Sequence, residues 1–248
     1  MTAVDLPPRR VWLRQEASDA AVRLIVLPHS GAGAASFNRW LGLFPPTIAP
    51  VRVQLPGREE AATETPLRRV RDAVDALLPQ VCELVDEPRA LYGHSMGALV
   101  AFELARALTS AGHPPVHLFV SGRRAPQRSP SRATIHELSD DELITALETM
   151  DGTAGVTRRS PTFLRYALPL TRADLELSEE YAFGPGPVLP CPITAFYGTE
   201  DPVVDADEVD AWRDLTAASF AIHGFSGAHF FHQRHRAAIV AIMDAALE

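Results

Sequence analysis

The chain has 248 residues, of which 46% are hydrophobic and 22% are charged, and its formal net charge is −8. This composition is typical of a globular protein, and no apolar run reaches the roughly 18 residues of a membrane span. The acidic balance disfavours binding to nucleic acid phosphates, and two cysteines are too few for a disulfide scaffold. Because charges and a proline pair occupy the place of an apolar signal sequence, we expect a cytoplasmic protein.

Six apolar segments predict β-strands, and helical patterns follow most of them. The strand candidates are residues 22–28, 51–55, 89–93, 116–121, 193–198 and 219–224. Apolar residues at three- and four-residue steps predict helices at residues 67–85, 96–110, 206–215 and 232–247. This alternation predicts the α/β class, with a mostly parallel central sheet covered by helices on both faces, in one domain of residues 1–248.

Residues 133–189 break the alternation, because they show helical patterns and no convincing strand. Ser139 and Glu142 form a capping-box pattern before an apolar run, and Ser160-Pro161 indicates a second helix start. A third helical run, 170–181, ends at alternating glycines and prolines. We therefore predict an inserted helical lid at residues 133–189, within the same domain.

The first motif that indicates chemistry is Gly-His-Ser-Met-Gly at residues 93–97. Between a predicted strand and a predicted helix, this G-x-S-x-G pattern is typical of a nucleophile elbow, a strained turn that exposes the central serine, Ser95. The alternative is a glycine-rich turn without chemistry. The pentapeptide alone is a weak signal, so the prediction depends on an acid and a histidine further along the chain.

Both residue types follow later strands in the expected order. Asp201 comes just after strand 193–198, and His229 lies in the loop before the last helix. In such a triad the histidine takes the serine proton, and the acid holds the imidazole in the correct tautomer. Glu200 is the competing acid. We prefer Asp201 because it precedes Pro202 at a turn, and we assign Asp205 and Asp207 to the start of the next helix.

An oxyanion hole requires two backbone N–H donors, one after the nucleophile and one in a loop after an early strand. Met96 and Ser30 are the predicted donors. The alternative for the loop is a dinucleotide site, because Gly31-Ala-Gly33 begins a G-x-G-x-x-G pattern. That pattern lacks its third glycine, and Gln54 stands where an acid for the ribose is expected.

Three histidines, His229, His232 and His235, occur at three-residue steps. These steps spread over too wide an arc of a helix to provide convergent metal ligands. We therefore expect no metal site. We predict that His232 and His235 are solvated residues of the last helix, and that His94 packs beneath Ser95.

Six segments in collinear order carry a resemblance to a known family. They are LPHSGAGAASF, VRVQLPGRE, LYGHSMGALVAFELAR, LFVSGRRAP, FYGTEDPVV and GAHFF. From about Val22 to the last helix, the chain resembles the type II thioesterases that accompany polyketide and nonribosomal peptide synthetases in antibiotic biosynthesis. One departure is the loop His29-Ser30-Gly31-Ala32, where the family often has His-Ala-Gly-Gly.

The resemblance implies an α/β-hydrolase fold and a serine thioester hydrolase with an editing role. Its substrates would be acyl groups on the phosphopantetheine arm of carrier proteins, which are its expected partners. It assigns Ser95, Asp201 and His229 to the triad, and Ser30 and Met96 to the oxyanion hole. We expect a monomer with no dissociable cofactor, no nucleic acid partner and no membrane partner. The alternatives are a product-releasing thioesterase, a small-molecule carboxylesterase and a catalytically silent binding module.

A run of arginines follows the predicted strand 116–121. Its members are Arg123, Arg124, Arg128 and Arg132, with Arg158 and Arg159 further along in the predicted lid. Because carrier proteins are generally acidic and this chain is acidic too, association would require locally concentrated positive charge. We predict that the first four form a carrier-docking surface. One alternative is a solvated loop, and another is that Arg123 and Arg124 are partly buried against the sheet, because they directly follow the strand.

Overall fold

Within residues 12–16, 19–84, 88–151 and 160–248, which the structure describes, the computed structural model contains one seven-stranded sheet. The strands are β1 (Leu13–Arg14), β2 (Val22–Leu27), β3 (Ile48–Val53), β4 (Arg89–His94), β5 (His117–Ser121), β6 (Ile193–Gly198) and β7 (Phe220–Phe225). Their order is β1-β3-β2-β4-β5-β6-β7. β1 pairs antiparallel with β3, and every other neighbouring pair is parallel. The predicted mostly parallel sheet is confirmed.

Helices connect the strands and close the chain. They are α1 (Val70–Cys82), α2 (Met96–Ser110), α3 (Asp140–Asp151), α4 (Leu168–Glu179), α5 (Ala206–Asp210), α6 (Phe231–Arg234) and α7 (Arg236–Leu247). A π-helical turn, Phe163–Ala167, leads directly into α4. In the described part of the chain, none of the helices has the length and apolar character that crossing a bilayer requires.

Each face of the sheet has its own apolar core, because successive strand residues point to opposite faces. On one face, residues such as Ile25 and Leu27 pack with the buried sides of α1 and α2. On the other face, Leu24 and Val26 pack with α7 and with Trp40. Burial on both faces explains why the central strands β2, β4, β5 and β6 are nearly continuous apolar runs.

The predicted limits of the strands and helices differ from the observed ones where the local hydrophobic pattern gives little information. β1 has only two residues, too few to be recognised as a strand in the sequence. β3 begins at Ile48 and includes Pro50, a residue that argues against a strand when only the sequence is known. The predicted last helix is divided at His235, where α6 ends and α7 begins.

In its described part, the segment between β5 and β6 contains α3, the π-helical turn and α4, whereas residues 152–159 of the predicted lid lie outside the described residues. The predicted capping box is confirmed, because the Ser139 backbone N–H donates to the Glu142 carboxylate (3.0 Å) and the Glu142 N–H donates to Ser139 Oγ (3.4 Å). Ser160 Oγ likewise accepts the Phe163 N–H at 3.2 Å. Leu177 of α4 is buried in the main core beside α2. The lid segment (residues 133–189) is therefore packed against the core beside α2 through α4. Its function as a lid stays a prediction.

Two glycines let β4 and α2 approach the neighbouring backbone. A Cβ on Gly93 would lie inside contact distance of the Gly97 carbonyl group, and a Cβ on Gly97 would lie 2.6 Å from the Pro28 carbonyl oxygen and closer still to that of Leu27. Because these neighbours are backbone atoms, rotation of a side chain cannot relieve the overlap. The strand, the turn and the helix therefore fit together only with glycine at both positions.

We expect Gly97→Ala to lower the free energy of unfolding by about 1–3 kcal/mol, through overpacking against the end of β2. Gly42→Ala is the matched control, because a Cβ there meets no heavy atom within 4 Å. The control should change stability by less than about 0.5 kcal/mol. Denaturant unfolding curves measure both free energies of unfolding. Equal stability of the two variants would contradict the overlap that we expect between a Cβ at position 97 and the end of β2.

Candidate functional site

Ser95 occupies the tight turn between β4 and α2. Its backbone has φ +56° and ψ −116°, a conformation that non-glycine residues rarely adopt. The Ser95 N–H donates to the Ser121 carbonyl oxygen at the end of β5 (2.8 Å), which ties the strained residue to the sheet. The predicted elbow geometry is thus present at the carboxyl edge of the strands.

Three side chains from separate strand ends form a hydrogen-bonded chain. Ser95 Oγ lies 3.0 Å from His229 Nε2, and His229 Nδ1 lies 2.8 Å from Asp201 Oδ2. An ionised carboxylate can only accept, so the proton of neutral His229 resides on Nδ1. His229 Nε2 is then free to accept the Ser95 hydroxyl proton. This arrangement is able to remove a proton from Ser95.

The acid of the chain is itself held in place. Asp201 Oδ1 accepts the Val203 N–H at 2.7 Å, and the Asp201 and His229 side chains are 0% and 1% exposed. Glu200, the competing acid of the sequence prediction, is exposed. Asp205 caps α5 and forms a capping box with Glu208, as predicted for an acid at that helix start. Of the two candidate acids, only Asp201 contacts His229.

The loop after β2 contains Ser30, the predicted second oxyanion donor. Gly31 has φ +78°, a conformation that favours glycine. In the part of the chain that the structure describes, no hydrogen bond uses the backbone N–H of Ser30 or of Met96. The Ala34 N–H donates to Gln54 Oε1 (3.2 Å). Gln54, at the position where a dinucleotide site requires an acid, therefore supports this loop.

Sequence reasoning missed a buried ion pair beside this loop. Arg58, just after β3, donates two hydrogen bonds to Asp174 of α4, at 2.7 and 2.8 Å. The two side chains are 4% and 1% exposed. The segment VRVQLPGRE contains Arg58, but nothing in the sequence links it to an aspartate 116 residues away on an amphipathic helix.

His229 lies within a cluster of imidazoles. The ring centroids of His94 and His229 are 5.0 Å apart, and those of His94 and His232 are 3.7 Å apart. His94 Nδ1 lies 2.9 Å from Ser121 Oγ. His94 is buried, in agreement with its predicted packing, but the prediction that His232 is solvated is wrong. His232 is 1% exposed, because α6 turns it inward toward Trp40.

Burial keeps His29, His94 and His232 uncharged. It lowers the pKa of His29 to about 3, with smaller contributions from His229 and Arg58. Burial also lowers the pKa of His94 and of His232 well below the usual value, and the neighbouring imidazoles add to the effect. The three side chains are therefore neutral at pH 7, and His94, which contacts the His229 ring, is one of them.

The arginines after β5 divide into two classes. Arg123 donates to Ser178 Oγ (2.7 Å), and burial lowers its pKa to about 10. Arg124 is half-buried and donates to the Arg128 carbonyl oxygen at 3.2 Å. Arg128 and Arg132 are exposed, whereas Arg158 and Arg159 lie outside the described residues. The predicted docking surface therefore needs correction. Arg123 is hydrogen-bonded to α4 and Arg124 is half-buried, so of the four predicted arginines only Arg128 and Arg132 are exposed.

A mostly parallel sheet with a serine elbow after one strand, and with an acid and a histidine after later strands in that order, defines the α/β-hydrolase class. Within this class, residues 22–247 match the model of the thioesterase domain family. The chain belongs to that family, and it is a thioester-hydrolysing enzyme.

Similar proteins agree with this assignment. The gramicidin S biosynthesis protein GrsT of Aneurinibacillus migulanus is 38% identical over 86% of this chain and 84% of its own length. Thioesterase PikA5 of Streptomyces venezuelae is 36% identical over 89% of this chain and 80% of its own. The structure of the type II thioesterase BorB, from the borrelidin biosynthetic cluster, has a TM-score of 0.89 at 40% identity, covering 98% of this chain and 100% of that one. The resemblance to type II thioesterases is thus confirmed.

The buried imidazoles predict a stability that declines in acid. The unfolded chain binds protons at its histidines below about pH 6.5, whereas the folded protein keeps His29, His94 and His232 neutral. The free energy of unfolding should therefore fall as the pH decreases from about 6.5, by up to about 1.4 kcal/mol per pH unit for each such histidine. For His29 this loss continues until its folded pKa of about 3.

Denaturant unfolding at pH 7, 6 and 5 measures this slope. His232→Gln should reduce the slope by the contribution of about one histidine, whereas His113→Gln, at an exposed position, should leave it unchanged. A wild-type stability that is constant between pH 7 and 5 would show that the buried rings accept protons in the folded state.

Proposed function

We propose that this enzyme hydrolyses acyl thioesters on the phosphopantetheine arm of carrier proteins, in polyketide or nonribosomal peptide biosynthesis. The observation that carries the proposal is the hydrogen-bonded chain of Ser95, His229 and Asp201 at the elbow of a thioesterase-family protein. In this proposal Ser95 is the nucleophile, His229 is the general base and Asp201 orients and stabilises the imidazole.

The first half of the reaction forms an acyl-enzyme. His229 Nε2 takes the Ser95 hydroxyl proton while Ser95 Oγ attacks the thioester carbonyl carbon. The tetrahedral intermediate collapses as the carbon–sulfur bond breaks, and the departing pantetheine sulfur receives the proton from His229. Asp201 stabilises the imidazolium that exists between these two proton transfers.

The second half returns the enzyme to its starting state. His229 takes a proton from water, whose oxygen attacks the acyl carbon, and then gives that proton to Ser95 Oγ as the ester bond breaks. The product is a free carboxylic acid. No redox step occurs, and the proposal requires neither a metal nor a dissociable cofactor, since the phosphopantetheine belongs to the substrate.

The developing negative charge in each half requires two donors. In our proposal these are the backbone N–H groups of Ser30 and Met96, which have no partner among the described hydrogen bonds and are therefore available for an oxyanion. Both are backbone groups, so the departure of the loop from the usual family sequence changes its shape and keeps its donors. Donors fixed before the substrate arrives stabilise the transition state without reorganisation.

The relatives support the choice of substrate and pathway. GrsT is named for gramicidin S biosynthesis, and BorB comes from the borrelidin biosynthetic cluster. Solved type II thioesterases from mixed synthetase pathways include YbtT of the yersiniabactin pathway, which is 27% identical to this chain with a TM-score of 0.85. An editing role, in which the enzyme clears acyl groups from stalled carriers, follows by analogy with type II enzymes.

We expect Ser95→Ala to lower hydrolysis of an acyl-pantetheine by at least about 1,000-fold without loss of folding, because the nucleophile is removed. Asp201→Asn should lower kcat by about 100-fold or more, since an amide favours the wrong tautomer of His229. Glu200→Gln is the matched control and should retain activity. Steady-state kinetics test the series, and a greater loss in Glu200→Gln than in Asp201→Asn would overturn the assignment of the acid.

Exposed positive charge at Arg128 and Arg132 supports a docking role toward an acidic carrier. Reversing both to Glu should lower kcat/KM on an acyl-carrier protein by about tenfold at low salt and weaken its salt dependence. Activity on the same acyl group attached to pantetheine should not change. Reversing Arg39 and Arg69, two other exposed arginines, to Glu makes the same change in net charge and is the control.

Rates on three substrates that carry the same acyl group test the whole proposal. Carrier-bound thioester, pantetheine thioester and oxygen ester are compared on the wild-type enzyme. A preference for the oxygen ester would favour the carboxylesterase alternative. Equal losses on the carrier and pantetheine substrates in the reversed variants would indicate a disturbed active site and would remove the docking role.

A further inference from the structure

We propose that Arg58 and Asp174 are positioning residues that set the oxyanion loop (residues 29–33), so that helix α4 of the lid segment controls the catalytic competence of Ser30. The inference rests on the proposed function, because it concerns the predicted oxyanion donor. Neither side chain contacts a residue of the Ser95–His229–Asp201 chain through the described hydrogen bonds. They act through the backbone that immediately follows Ser30.

The contacts fix this backbone immediately after Ser30. Asp174 Oδ2 accepts the Gly31 N–H at 2.7 Å. Arg58 Nη1 donates to the Ala32 carbonyl oxygen at 2.8 Å and to the same Asp174 oxygen at 2.7 Å. A donor and an acceptor of the loop are thus held by one ion pair, which limits rotation of the peptide groups that follow Ser30.

The geometry of Gly31 couples the loop to α4 a second time. Gly31 has φ +78°, and the space that a Cβ would occupy is filled by the hydroxyl group of Thr171. Thr171 and Asp174 are one helical turn apart, so they lie on the same face of α4. That face covers the loop, and a displacement of α4 would remove both the packing contact and the acceptor of the Gly31 N–H.

The burial of the pair makes this coupling strong. The Arg58 and Asp174 side chains are 4% and 1% exposed, and their two parallel hydrogen bonds measure 2.7 and 2.8 Å. A buried bidentate pair restricts geometry more than a surface pair does, and breaking it leaves an uncompensated charge. The loop therefore has one preferred shape while α4 is docked, and it loses that shape when the pair is broken.

Asp174→Asn tests the inference, because the amide keeps an oxygen for the Gly31 N–H but loses the charge that holds Arg58. We expect kcat on acyl-pantetheine to fall about 10- to 100-fold while KM changes little, since the lost interaction acts on the transition state. The inhibition constant of a trifluoromethyl ketone analogue, which forms a tetrahedral adduct on Ser95, should rise by a similar factor. A purely structural role would lower the melting temperature and leave both quantities unchanged.

Glu176→Gln is the matched control. Glu176 also lies on α4 and pairs with Arg68 near the surface, two residues from Asp174, so its loss weakens the docking of α4 without touching the oxyanion loop. We expect kcat and the inhibition constant of this variant to stay within about twofold of wild type. Equal losses in the two variants would overturn the inference, because general docking of the helix would then explain them.

Arg58→Lys provides a second route if Asp174→Asn does not fold. Lysine keeps a positive charge beside Asp174 but cannot bridge the carboxylate and the Ala32 carbonyl with a planar fork, so we expect the same change in kcat and in inhibitor affinity. Unchanged values in a folded Arg58→Lys or Asp174→Asn variant, with an active wild type, contradict this inference alone. A wild type without thioesterase activity, or an active Ser95→Ala variant, contradicts the proposed function instead.

Discussion

The close crossing of α2 over the ends of β2 and β4 is the constraint on which the site depends. It requires glycine at positions 93 and 97, where a Cβ would overlap backbone atoms. It also holds Ser95 at φ +56°, so the turn stores strain that the surrounding sheet must stabilise. The hydrogen bond from the Ser95 N–H to the Ser121 carbonyl supplies part of that stabilisation, so β5 supports the turn at Ser95.

Ser121 also connects the turn to the imidazole cluster, since its hydroxyl lies 2.9 Å from His94 Nδ1. Because burial keeps His29, His94 and His232 uncharged, His229 has no positive neighbour within the cluster at pH 7. A charged imidazole there would oppose the imidazolium that the proposed reaction forms. Their neutrality thus avoids this repulsion and, through the same linkage, reduces stability in acid.

The sequence was sufficient for six of the seven strands and for the hydrogen-bonded chain because each signal is local. Ser95, Asp201 and His229 lie in the loops just after recognisable apolar strands, and the carboxyl ends of parallel strands meet at one edge. The Arg58–Asp174 pair had no such signal, because it joins two segments that are 116 residues apart and is created only by tertiary packing. The burial of His232 was missed for a related reason, since periodicity cannot reveal the break between α6 and α7.

The loops after β2, β6 and β7, at the carboxyl edge of the sheet, are held by different kinds of hydrogen bonds. This difference explains which loop can change shape through substitutions elsewhere in the chain. Loops after β6 and β7 are joined by backbone bonds, such as Glu200 N–H to the Gly227 carbonyl (3.1 Å), which do not depend on side-chain identity. In the loop after β2, the N–H groups of residues 31, 34 and 35 donate to the side chains of Asp174, Gln54 and Glu59. Substitutions at those distant positions are therefore expected to reshape the loop after β2 while His229 and Asp201 keep their places.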